Sequence, residues 1–129
     1  MTKTPNAIDY VELPAAGPAG VAAARAFYGA AFGWTFKDWG DDYIDTRDSG
    51  IGAGVNGEAG HRAAAPLVVI YAAGLEGARE KVVAAGGTLT RDIFAFPGGR
   101  RFHFRDPAGN MIELHQHDKC RCLATSRSN

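Results

Sequence analysis

At 129 residues the chain has the size of one ordinary domain, and with 46% apolar and 22% charged residues its composition is globular rather than disordered. Fourteen basic residues balance fourteen acidic ones, so the basic excess of a dedicated nucleic-acid-binding surface is missing. No apolar run reaches the roughly 18–20 residues that cross a bilayer, and Met1 to Asn6 lack an apolar signal region. Cys120 and Cys122 are too few and too close together to staple a secreted mini-fold. The expectation is a soluble, cytoplasmic protein with neither a nucleic-acid nor a membrane partner.

Ala7 to Leu13 (A-I-D-Y-V-E-L) alternates and stops at Pro14, which predicts a strand. A loop rich in Pro, Ala and Gly follows. Val21, Ala24, Phe27, Tyr28 and Phe32 then recur at steps of three and four. That spacing predicts a helix over 21–32 with one apolar face, Pro18 near its start and Gly33 at its end. Strands are predicted over 34–39, 43–47 and 51–55, the last broken by glycines. Gly40-Asp41-Asp42 and Asp48-Ser49-Gly50 supply the turns between them.

After a linker of small and polar residues over 57–66, the succession starts again. Leu67 to Ala72 (L-V-V-I-Y-A) is the run richest in strand-forming residues. Leu75, Ala78, Val82 and Ala85 mark one face of a helix over 75–85, closed by Gly86-Gly87. Strands are predicted over 88–93, 100–105 and 111–117, with turns at Pro97-Gly98-Gly99 and over 106–110. Both halves therefore read βαβββ, module one over 7–56 and module two over 67–117. Each is marginal alone at that size. A single α+β domain over 1–117 is expected, its mixed sheet curled into a concave ligand cup with the helices on the convex face. The polar, aperiodic stretch over 118–129 reads as a loose tail.

Two tandem βαβββ units resemble the vicinal oxygen chelate superfamily, which holds glyoxalases, bleomycin resistance proteins and extradiol dioxygenases. The residues that carry the resemblance are A-I-D-Y-V-E-L at 7–13, A-F-Y-G-A-A-F-G-W at 26–34 and L-E-G-A-R-E-K-V-V-A-A-G-G at 75–87. F-P-G-G-R-R-F-H-F-R-D-P-A-G-N-M-I-E-L at 96–114 completes the set. The G-G-R-R-F-H-F run is similar to a branch related to lactoylglutathione lyase. The resemblance implies a small organic molecule as partner and, as is common in the family, a homodimer.

In metal-dependent members of that family, the first and last strands of each module supply four ligands between them. Mapped by motif, the first position is Tyr10 and the third lies near Leu67. The strand over 51–55 offers no His, Asp or Glu in any register, and only Glu113 matches. The usual ion site is thus expected to be lost and no cofactor is implied. A displaced divalent metal has Glu113, His115 and His103 as its candidate ligands. Alternate residues of a strand share a face, so Glu113, His115 and His117 point together, as do Arg101, His103 and Arg105. The bland reading leaves His115 and His117 in water at a fraying strand end, with Arg101 or Arg105 neutralising Glu113. The Cys120-Arg-Cys122 pair on the tail is expected to have no role.

Without a metal, the expected pocket has Tyr10, Glu12 and Tyr71 on its inner face and Leu67 and Val69 as apolar wall. Trp39, Tyr43 and Tyr10 would stack a flat ligand while Arg101, His103 and Glu113 make directional polar contacts. Trp34 and Phe36 are expected in the core. Buried Glu12 and Glu113 would be costly unless paired with Arg101 or Arg105. Beside His103, Glu113 is the candidate base for removing a proton next to a carbonyl. No phosphate loop follows the glycines over 50–57, and no G-x-S-x-G is present. Two functions remain: a glyoxalase-like lyase or isomerase, with Glu113 and His103 as catalytic pair, or a bleomycin-resistance-like protein that sequesters an aromatic drug or metabolite.

Overall fold

The two periodicities resolve into eight strands and two helices among the described residues, so the α+β class and the repeated βαβββ order are both present. The computed structural model describes residues 4–96 and 98–117. Pro97 of the expected turn and the expected tail over 118–129, with Cys120 and Cys122, lie outside the described residues. Two compact units emerge: Asp9–Val68, and the residues from Val69 onward together with those up to Ile8. The linker over 57–66 thus belongs with the first unit. No helix among the described residues is long and apolar enough to cross a membrane.

The first unit contains β1 (Ile8–Pro14), α1 (Gly17–Phe32), β2 (Lys37–Asp38), β3 (Tyr43–Thr46) and β4 (Gly52–Asn56). The strands lie in the order β2-β3-β4-β1. The β1–β4 pair is parallel and the other two pairs are antiparallel, which makes the sheet mixed. Val21, Ile44 and Val55 form its buried core, with Ala15, Ala24 and Phe36 against them.

Three expectations are corrected here. Helix α1 begins at Gly17 rather than Val21, because Pro18 in its first turn has the backbone angle a helix needs and no amide hydrogen to leave unpaired. Its apolar stripe is only half used. Val21 is buried, but Phe27 and Phe32 are 59% and 63% exposed. They join an aromatic cluster in which Trp34 stacks on Tyr28 at 5.1 Å, so Trp34 is part of that cluster while Phe36 does reach the core. Strand β2 shrinks from the expected six residues to Lys37–Asp38. Its N-terminal part is drawn away by that stack and by Asp48, whose Oδ2 accepts from the Thr35 backbone amide at 2.8 Å and its hydroxyl at 2.9 Å.

The second module contains β5 (Leu67–Tyr71), α2 (Leu75–Ala84), β6 (Thr88–Phe96), β7 (Gly99–Arg105) and β8 (Met111–His117). The order is β5-β8-β7-β6. Phe102, Phe104 and Leu114 point to the helix side and are buried with Ala72 and Leu75. Ile112, Ala78 and Val82 pack around them, as strand parity requires. The Gln116 side-chain oxygen accepts from the Leu75 amide at 2.9 Å, satisfying one of the bare donors at the start of α2. Strand β6 runs three residues beyond the expected Ile93 to Phe96, through register shifts between Leu89 and Arg91 and between Arg91 and Phe94. Alternation fails at such bulges, which hides the continuation from a period-two reading.

Candidate functional site

Directly opposed residues of an antiparallel ladder project from the same face. In the β7–β8 ladder His103 stands opposite Glu113, and Arg101 opposite His115. Since Phe102, Phe104 and Leu114 take the helix side, these four take the other. Glu113 is buried, yet its Oε1 lies 2.9 Å from Nε2 of His103 and 3.4 Å from a terminal guanidinium nitrogen of Arg101. Its second oxygen, Oε2, has no hydrogen bond among the described residues. A carboxylate taken from water needs such partners, and a cation with an N–H donor is the strongest combination. Phe94 of β6 meets the His103 ring edge-on at 5.5 Å, and the Arg101 guanidinium lies over Phe94 and Phe96 at 5.0 and 4.8 Å.

Arg105 takes no part. Its guanidinium donates to the Gly109 carbonyl at 2.9 Å and braces the β7–β8 turn, so the expected choice between Arg101 and Arg105 for Glu113 falls to Arg101. His115 is buried rather than in water, and β8 stays paired as far as His117 instead of fraying. Tyr71 meets both histidine rings with centroids 6.0 Å away. The candidate trio for a displaced metal is not assembled as a set. Among the described residues no three His, Cys, Asp or Glu side chains are grouped to hold an ion.

A second polar cluster lies within the first unit. The Tyr10 and Tyr43 hydroxyl oxygens are 2.7 Å apart, and Tyr43 donates to Oε2 of Glu12 at 3.0 Å. The Asn56 side-chain amide donates to Oε1 of the same carboxylate at 3.2 Å. Glu12 is thus buried, with Tyr43 and Asn56 both donating to its carboxylate. Burial and the negative charge of Glu12 push the Tyr43 phenol well above its ordinary range. The glycines of β4 make room for this cluster. A Cβ on Gly52 would come within 2.8 Å of the Tyr10 ring, and one on Gly54 would run into both tyrosine hydroxyls. Tyr10 and Tyr43, expected as stacking surfaces, therefore meet each other through hydroxyls. Trp39 is exposed, with the Lys37 ammonium over its ring at 4.3 Å.

The positions that the resemblance maps to metal ligands carry the residue types read from the sequence. Tyr10 presents a phenol bonded to a second phenol, β4 carries only Gly, Ala, Val and Asn, and Leu67 is a buried aliphatic. Glu113 alone has the donor type. The roles of Asn56 as a donor and of Gly54 as the space for two hydroxyls escaped the sequence reading, because neither residue type is a chemical signal by itself.

Residues 8–114 match the family model of the Glyoxalase/Bleomycin resistance protein/Dioxygenase superfamily. The chain belongs to that superfamily. A search of the curated proteins finds no match. Solved structures share the fold at low identity. The NAD-dependent benzaldehyde dehydrogenase structure from Legionella pneumophila matches with a TM-score of 0.69 and 10% identity, over 84% of this chain and 98% of that one. A methylmalonyl-CoA epimerase matches with a TM-score of 0.65 and 15% identity, over 92% and 100%. The Mn(II)-bound glyoxalase from Novosphingobium aromaticivorans matches with a TM-score of 0.59 and 21% identity, over 84% of this chain but 38% of that longer one. These likenesses establish the fold, and the superfamily rests on the family model over residues 8–114.

Proposed function

We propose that this chain is a glyoxalase-like lyase or isomerase that removes a proton next to a carbonyl, with Glu113 as the base. One observation carries the reading: a buried carboxylate whose Oε1 is held by His103 at 2.9 Å and approached by Arg101 at 3.4 Å, while Oε2 has no hydrogen bond among the described residues. Oε2 takes the proton from the carbon beside the carbonyl, the electron pair of that C–H bond forms a carbon–carbon double bond, and the carbonyl π pair moves onto its oxygen. Arg101 offsets the resulting enolate charge. In an α-hydroxy carbonyl substrate, protonated Glu113 returns the proton to the former carbonyl carbon while the hydroxyl proton passes to the enolate oxygen and the hydroxyl carbon becomes the new carbonyl, so charge and protons balance. His103 holds the carboxylate in place and shares its charge. The reading takes the usual metal site as lost and routes no step through an ion. It goes with a cytoplasmic homodimer.

A bleomycin-resistance-like role, holding an aromatic drug or metabolite without turnover, is favoured by one feature. Trp39 stands 56% exposed next to a turn, where a flat ligand reaches it. Deuterium uptake from heavy water separates the two. With a panel of 2-hydroxy and 2-oxo aldehydes and acids, NMR is expected to show exchange at the carbon beside the carbonyl. Glu113→Gln, with its fold checked by circular dichroism, is expected to abolish it. Exchange that survives Glu113→Gln overturns the base assignment. No exchange, together with a rise in melting temperature on adding aromatic metabolites or glycopeptide antibiotics, supports the binding role.

A further inference from the structure

Strand β6 places two side chains where an ordinary strand would not. Arg91 and Phe94 are three residues apart, so regular alternation would send them to opposite faces. The register shift between them cancels that alternation. Arg91 stands opposite His103 and Phe94 opposite Arg101, so both share the face that carries Glu113. The Arg91 guanidinium lies 3.5 Å from the centre of the Phe94 ring and that of Arg101 lies 5.0 Å from it. One aromatic ring thus gathers two guanidinium groups, an arrangement the attraction of cations to the ring face favours.

The charges on this module are sorted by face. Asp92 pairs with Arg79 at 2.8 Å, and Glu76 with Arg100 at 2.5 Å, on the helix side. Among the described residues, the opposite face of β6, β7 and β8 carries Arg91, Arg101 and His103 beside the acid Glu113. That acid does not saturate Arg101. The contact is one nitrogen at 3.4 Å, long for an ionic hydrogen bond, whose usual length is about 2.7–2.9 Å. Arg101 Nε has no hydrogen-bond partner among the described residues, and Arg91 has no acidic partner among them.

We propose that Arg91 and Arg101, gathered on Phe94, bind the carboxylate of a small organic acid, and that the molecule acted on at Glu113 carries that group. Planar guanidinium groups match a carboxylate with paired N–H donors and hold it in a fixed orientation. A carboxylate fixed there brings the rest of a small acid to the His103–Glu113 pair, which is two positions along the same ladder and the next pair on that face. The inference rests on the proposed base for its second half only, and binding without turnover tests its first half separately.

The probes are benzoate, its neutral methyl ester and inorganic phosphate, titrated into the full chain by calorimetry. Benzoate is expected to bind, the methyl ester at least about tenfold more weakly, since it lacks the charge the two arginines recognise. Arg91→Gln removes an exposed side chain without an acidic partner, so the fold is expected to survive. It is expected to weaken benzoate about tenfold, as is Arg101→Lys, which keeps the charge but loses the planar fork. Equal binding of ester and acid, or benzoate binding unchanged in Arg91→Gln, overturns the carboxylate site. No benzoate binding at all does the same. Phosphate binding in place of benzoate overturns the choice of carboxylate. If deuterium exchange is seen only with neutral aldehydes while benzoate fails to bind, the base stands and this inference falls. If benzoate binds as expected but no exchange occurs, the carboxylate site stands and the base falls.

Discussion

Replacing Tyr43 with Phe tests the polar cluster of the first unit with the loss of a single oxygen. That hydroxyl donates to buried Glu12 at 3.0 Å and lies 2.7 Å from the Tyr10 oxygen. A hydrogen bond to a charged group contributes roughly 1.5–3 kcal/mol. The 3.0 Å distance lies at the long end for O–H to oxygen, and a phenylalanine ring is easier to bury than a phenol. A loss of about 2 kcal/mol is therefore expected. For a domain of this size that corresponds to a fall in Tm of very roughly 6–10 °C. Urea unfolding followed by circular dichroism is the assay, with the slope against denaturant unchanged if only stability moves. The raised Tyr43 phenol adds a signature in pH. Its folded value lies above the unfolded one, so the contribution is complete below about pH 10 and is lost as pH rises towards the folded value. The gap between wild type and Tyr43→Phe should hold from neutral pH to about pH 10 and narrow beyond it. A difference under about 0.5 kcal/mol at neutral pH, or a gap that widens above pH 10, would refute the reasoning.

Two further outcomes test the second module. Phe102 is fully buried among Leu75, Phe104 and Leu114, so Phe102→Ala should cost about 3–5 kcal/mol in urea unfolding. A loss below about 1 kcal/mol would mean that the β7–α2 packing is not as described. Asp106 closes the turn before β8, accepting from the Asn110 and Ala108 amides at 2.9 Å each. Chiefly through the Asn110 amide, its carboxyl sits below the ordinary aspartate value. Its stabilisation is therefore present above about pH 4 and fades as pH falls through the lowered value. Asp106→Asn should be less stable than wild type at neutral pH and approach it in acid, as read from melting temperatures across pH. Parallel curves at all pH values would show that the turn does not depend on the charge.

The strand–helix succession was legible because period-two and period-3.6 patterns follow from where side chains point, whichever module they belong to. For the same reason the Arg101, His103 and Glu113 side chains could be assigned to one face before any coordinates, with Phe102 and Leu114 on the other. The identity of Glu12's partners was not legible. Parity suggests a face but not a reach, and a phenol and an amide at sequence separations of 31 and 44 both donate to its carboxylate. Gly54 was read only as a break in a strand, whereas the space it leaves is what two tyrosine hydroxyls occupy.

Sequence alone determined the α+β class, the repeated βαβββ order and the poverty of metal-ligating residue types at Tyr10, Leu67 and the fourth strand, since residue identity and alternation are local properties. Tertiary structure alone decided that Phe27 and Phe32 stay exposed, that Arg105 braces a turn rather than Glu113, and that bulges bring Arg91 beside Phe94. Each of these depends on which distant residue arrives first at a given surface or donor. No periodicity along the chain encodes that competition.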